Sequence, residues 1–268
     1  MTYVLSPTVT TLGSEALGAV VICGSHGGLY PAALAAKFGI RAIIFCDAAV
    51  GKDSAGIAGL LALGQHGIAA AAVSHTSCRI GDPDDMVSRG VISHVNLAAA
   101  RLGVAPAMSC SQAVALLQAA AQRPIKAGPA YEAKRQCYHE VGKRSLVLID
   151  SAALVDAQAD IGAIVVTGSH GGIIGGDPAK ALGADAFAAA FNDAGIGIDE
   201  AGIGRLAILE HRRIRAFTVS AASARIGDAR SSMEDGIISA ANPIALKEGA
   251  CVGDSARELV MRWRDGRG

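Results

Sequence analysis

The pentapeptide Gly24-Ser25-His26-Gly27-Gly28 returns as Gly168-Ser169-His170-Gly171-Gly172, 144 residues further along the chain. Each copy directly follows an apolar, β-branched run, Ala19-Val20-Val21-Ile22 in the first and Ala163-Ile164-Val165-Val166 in the second. A short apolar run that ends in glycines predicts a buried parallel strand turning sharply into a loop. The duplication extends well beyond the loop. Phe45-Cys46-Asp47-Ala48 matches Phe191-Asn192-Asp193-Ala194, now 146 residues apart, so the second copy carries two extra residues in its first helix region. At the same spacing Asp53-x-Ala55-Gly56-Ile57 matches Asp199-x-Ala201-Gly202-Ile203, Arg79-Ile80-Gly81-Asp82 matches Arg225-Ile226-Gly227-Asp228, and Asn96 matches Asn242. The expected organisation is a first α/β repeat over 1–117, a linker over 118–144 and a second repeat over 145–268.

Within the first repeat, apolar runs and alanine-rich amphipathic stretches alternate. Strand one ends at His26, and a helix follows near Pro31–Phe38, with its counterpart from Pro178 onward in the second copy. Strand two is Arg41–Phe45, a helix runs from Ala55 to Gln65, strand three is Ile68–Ser74, and a last helix covers Ile92–Leu102. In the second copy Phe217–Ser220 is the third strand. This alternation predicts a tandem βαβαβα pair, with parallel sheets, right-handed crossovers, helices on both faces and a pseudo-two-fold relation between the copies. The stretch Gln118–Arg144 reads as an exposed linker with one solvated helix. The tail from Glu258 reads as an amphipathic end cap with Trp263 packed inside.

The polar motifs all fall just after strands, which is where open α/β sheets bind ligands. His26 and His170 are therefore the candidate acid/base groups or donors to a substrate oxygen. Gly27, Gly28, Gly171 and Gly172 are candidates for backbone N–H groups of an oxyanion hole, with Ser25 and Ser169 beside them. Asp47 and Asp193, after strand two, could each orient a histidine as the third member of a triad does. Arg79 and Arg225, in Ser-x-Arg-Ile-Gly-Asp, present planar forks suited to a substrate carboxylate, with Ser77 and Ser223 two residues before them. The copies also differ. The first carries Cys46, Lys52, His75, Cys78 and His94 where the second has Asn192, Ile198, Ala221, Ala224 and Ala240. Lys52 and His75 join the candidate site on that ground, and Lys52 is expected to disfavour the imidazolium of His26. No ligand pair has a diagnostic metal spacing, and neither a phosphate loop nor Gly-x-Gly-x-x-Gly is in register. A metal on His26, Asp47 and His75 is the weaker alternative, and no cofactor is expected.

Composition narrows the class. Lysine plus arginine equals aspartate plus glutamate at 24 each, so no global basic field exists to draw nucleic acid or anionic membrane. Hydrophobic residues make up 51% but aromatics only 4%, so the core is built from small aliphatic side chains. The start of the chain lacks a basic region before an apolar core, so no signal peptide is expected. The six cysteines show no Cys-x-x-Cys spacing, which points to reduced thiols in the cytoplasm, and the apolar balance points to a homo-oligomer. The expectation is a small-molecule hydrolase that cleaves a C–N bond (amide or lactam) or an ester bond in a small anionic or cyclic substrate. The alternatives are a cofactor-free isomerase, racemase or lyase on a small carboxylic acid, and a non-enzymatic binder of small acids.

Overall fold

The computed structural model describes residues 3–122 and 128–266. Its strands form two sheets. The first contains β1 (Tyr3–Ser6), β2 (Val20–His26), β3 (Ala42–Cys46), β4 (Ala69–Val73) and β5 (Ile92–Val95), in that spatial order. The second contains β6 (Arg135–Tyr138), β7 (Leu146–Ile149), β8 (Ile164–His170), β9 (Ala188–Asn192), β10 (Arg215–Val219) and β11 (Ile238–Ala241), again in chain order from one edge to the other. Both are mostly parallel, and β5, β6 and β11 pair antiparallel with their neighbours.

Residues of the central strands are buried on both faces, so these strands read as continuous apolar runs rather than alternating ones. Alanine dominates β4 and β9, where its small side chain leaves room for helices to approach closely. One face of the first sheet packs on α1 (Leu29–Lys37) and α2 (Ala58–Gln65) through Ala32, Ala36, Leu60 and Leu63. The other face packs on α3 (Pro83–Arg89), α4 (Leu97–Ala100) and α5 (Cys110–Leu117) through Met86, Ala99 and Val114. The second sheet is covered on one face by α6 (Arg205–His211), which contributes Leu206 and Leu209. Its other face takes α7 (Ala229–Glu234), α8 (Pro243–Lys247) and α9 (Ala256–Arg264), with Trp263 buried among Phe217, Leu259 and Val260. Helices therefore cover both faces of both sheets. Among the described residues no helix is long and apolar enough to cross a membrane.

Three expected elements differ from the structure. The second half has no long helix after β8. Gly175 and Gly176 take positive φ (60° and 68°), Asp177 caps, and only a 3-10 turn, Pro178–Lys180, forms. The stretch Ile92–Leu102 is a strand, β5, followed by the short α4, because Asn96 accepts from Ala99 N and starts the helix there. The stretch read as a linker with a solvated helix instead supplies β6, hydrogen-bonded along β7. Residues 123–127 of that stretch lie outside the described residues.

Candidate functional site

A pairing irregularity places each histidine. Between Ile22 and His26, β2 runs four residues while its partner β3 runs two, from Ile44 to Cys46. β8 does the same against β9 between Val166 and His170. Such bulges bend a strand and re-aim a side chain. The glycines inside them serve close packing. A Cβ on Gly24 would stand 2.5 Å from Pro7 O and 2.7 Å from Gly81 Cα, and one on Gly168 would stand 2.5 Å from Asp228 N.

Both imidazoles are turned into one cavity of about 390 Å³ between the two halves. Gly28 N–H donates to His26 Nδ1 at 3.1 Å, and Gly172 N–H donates to His170 Nδ1 at 3.2 Å. A ring nitrogen that accepts cannot carry the proton, so each neutral ring holds its hydrogen on Nε2. Burial pushes the His26 pKa down to about 4. His170 is pushed well below its ordinary value by burial, then by the positive charge of Arg205 and by His26. Both rings are therefore neutral Nε2–H donors near pH 7.

The cavity is also lined by a guanidinium, that of Arg205, outside the recurring motifs. Arg205, at the start of α6, is 1% exposed. Its Nε donates to Gly172 O at 2.9 Å and its Nη1 to Ala181 O at 2.8 Å, while Nη2 makes no hydrogen bond to the described residues. No described carboxylate pairs with it, although a buried cation without one is costly, and burial lowers its pKa to about 10. In the first half the equivalent backbone contact to the histidine loop, Gly59 N to Gly27 O at 2.8 Å, is made by a glycine. The available signal in the sequence was an arginine on the apolar face of a helix, at the position where the first half has Gly59.

Ser25 and Ser169 also line the cavity, with Asp150, Ser151, Tyr30 and Lys180. The two serines hold its walls: Val9 N donates to Ser25 Oγ at 3.0 Å, and Ala152 N to Ser169 Oγ at 2.9 Å.

The other candidates are engaged elsewhere. The glycine N–H groups are all spoken for, since Gly27 N donates to Cys46 O and Gly171 N to Asn192 O, while Gly28 and Gly172 serve the imidazoles. Asp47 accepts from both the backbone and Nδ1 of His75, at 2.9 and 2.8 Å, so it orients His75 rather than His26. Burial alone would raise the Asp47 pKa, but these bonds outweigh it and hold the carboxyl below its usual range. Asp193 closes a turn through Gly195 N and Ala221 N. Lys52 pairs with Asp235 at 3.0 Å, so burial and not an ammonium depresses His26. Ser77 and Ser223 bridge turns, to Ser74 O and Val91 N in one case and Ser220 O and Ile237 N in the other. Arg79 is shared by Asp82, Asp85 and Asp199, and Arg225 by Asp53 and Asp228. These arginines clasp one half to the other. Arg225 also borders a smaller cavity of about 180 Å³ with Tyr30 and Tyr131. Cys46 and Cys78 are buried with raised pKa values, Cys78 to about 12, which makes neither an activated thiol. Among the described residues no three His, Cys, Asp or Glu side chains are grouped to hold a metal.

Compared with protein-family models, curated proteins and solved structures, this chain matches none.

Proposed function

We propose that the chain is a small-molecule enzyme that hydrolyses a C–N or ester bond of a small anionic substrate held in the cavity between two duplicated, pseudo-two-fold-related halves. One observation carries this reading: two buried, neutral imidazole donors and a buried guanidinium without a carboxylate line the same cavity. Arg205 grips the substrate's carboxylate, and the Nε2–H groups of His26 and His170 donate to the carbonyl oxygen. Water adds to the carbonyl carbon, negative charge gathers on the oxygen between the donors, and the C–N or C–O bond breaks. The leaving atom takes the proton that the water gives up. A neutral imidazole can serve as the electrophile because its remaining Nε2–H stays available to donate to the developing oxyanion. We further infer a cytoplasmic homo-oligomer from the cysteine pattern and apolar composition, which equilibrium sedimentation would test.

One observation favours a second reading. Neither imidazole has a free acceptor nitrogen, so the same cavity could bind a small acid without turning it over. Titration calorimetry with small carboxylates, followed by product detection with their amides, lactams and esters, separates the two. Binding with turnover that His26→Asn slows at least tenfold supports the enzyme. Binding without turnover supports the binder, and no binding removes both.

A further inference from the structure

The charges lining the cavity that holds both histidines do not sum to a plain anion site. Asp150, just past the end of β7, is 8% exposed and lines the same space as Arg205. Its Oδ2 accepts from Lys134 N at 2.8 Å and its Oδ1 from Ala229 N at 3.1 Å. No described lysine or arginine pairs with it, and it is not paired with Arg205. The remaining charged side chain of the lining, Lys180, is about half exposed and lies 3.5 Å from Asp177. The lining therefore offers one buried cation and one buried anion that are not paired with each other: the guanidinium lies 5.0 Å from the centre of the Phe191 ring, and the carboxylate is held by two backbone N–H groups, with no opposite charge on either. Both come from the second half. In the first half the strand-end position that packs on the histidine strand is Pro7, whose carbonyl faces Gly24 as the Asp150 carbonyl faces Gly168, and the helix-start position is Gly59.

Two buried charges of opposite sign that do not meet are each costly to keep, and a ligand carrying the complementary pair would offset both costs at once. We propose that the ligand is a small zwitterion of the amino-acid class, its carboxylate on Arg205 and its ammonium on Asp150. Ser151 and the neutral imidazole donors face its remaining polar atoms. A cavity of about 390 Å³ accommodates a molecule of that size. This rests on the anion site proposed above and narrows its substrate class.

The test is calorimetric titration of the full chain at pH 7 with the free α-amino acids, their N-acetyl derivatives and their α-carboxamides. The expected result is that at least one free amino acid binds, and that both of its blocked forms bind at least tenfold more weakly. Asp150→Asn should erase the preference for the free amino group over the N-acetyl form. Arg205→Met should weaken binding of the free and N-acetyl forms together. If the N-acetyl acid binds as well as the free amino acid, the zwitterion assignment is overturned while the anion site stands. If no member of the panel binds wild type, both fall. The ligand comparison is made on wild type, so it decides the matter even where a variant does not fold.

Discussion

At the scale of single residues, the glycines of the repeated pentapeptide act through contact distance. Gly24 is held between two backbones, Pro7 on one side and Gly81 on the other, and neither can move without shifting a strand or a loop. Gly24→Ala is expected to destabilise the chain by about 2 kcal/mol or more, the upper part of the range for overpacking, as read by urea denaturation. A cost below about 0.5 kcal/mol would mean that the loops can separate. The histidines and serines of the pentapeptide were legible in the sequence because their recurrence at strand ends marks a shared position. Asp47 and Arg79 match Asp193 and Arg225 just as faithfully, yet these residues hold turns and clasp the halves together. Repetition marks a shared position, and a shared position serves packing as readily as catalysis. Arg205 and Asp150 were not legible for the complementary reason: they are where the two halves differ by charge, and only burial distinguishes a differing charge that lines a cavity from one that faces water.

Among the elements, the short helices α4 and α8 each start at a capping asparagine that also ties neighbouring elements together. Asn96 Oδ1 accepts from Ala70 N and Ala99 N, and its Nδ2 donates to Leu60 O and Ile68 O, so one buried side chain ties β4, α2 and α4. Asn242 makes the equivalent set in the second half. Asn96→Ala leaves four backbone groups without this partner and is expected to cost about 2–4 kcal/mol in chemical denaturation. The exposed pair Arg225–Asp53 provides a contrast, since Asp53→Asn should change stability by less than about 1 kcal/mol. The alternation of apolar runs and turn residues made β2, β3, β4, β8 and β10 legible, whereas β1, β5, β6, β7 and β11, each only four residues long, gave no such signal. The missing helix after β8 was not legible either. Gly175-Gly176-Asp177-Pro178 breaks the pattern after two isoleucines, and the chain there is held by Arg205 through Ala181 O. That contact is long-range, and no local period reports it. Its consequence is the cavity itself, because Ile174, Ala179, Lys180, Leu182 and Gly183 form a wall where the first half has α1.

For the whole molecule, the halves meet around side chains whose protonation opposes folding. Backbone bonds cross between them at Lys52 N to Ala221 O, Ile198 N to His75 O and Gly175 N to Gly81 O, and a small apolar cluster of Cys46, Ala48, Ile80, Ala194 and Ile226 lies at the junction. Within the shared cavity, the pKa of His26 falls from 6.5 to about 4 on folding. A histidine with a depressed folded value binds its proton more readily when the chain is unfolded. Its contribution is therefore complete above pH 6.5, is lost progressively as the pH falls toward 4, and is constant below that. The loss over this window is about 3 kcal/mol for His26, and His170 adds to it with the same sign. The Asp47 carboxyl, held below its usual value, acts in a lower window, below its ordinary 3.8. Acid unfolding should thus begin about two pH units above the carboxylate range. Protonating Nδ1 would also remove the acceptor for Gly28 N–H and loosen the loop that aims the ring. His26→Asn retains an acceptor for that N–H but does not titrate, so its stability should fall less steeply between pH 6.5 and 4. The measurement is the urea midpoint of wild type and variant at half-unit steps from pH 8 to 3.5. Parallel curves would show that the imidazole is already accessible to protons in the folded chain, and the buried-donor account of the cavity would be abandoned.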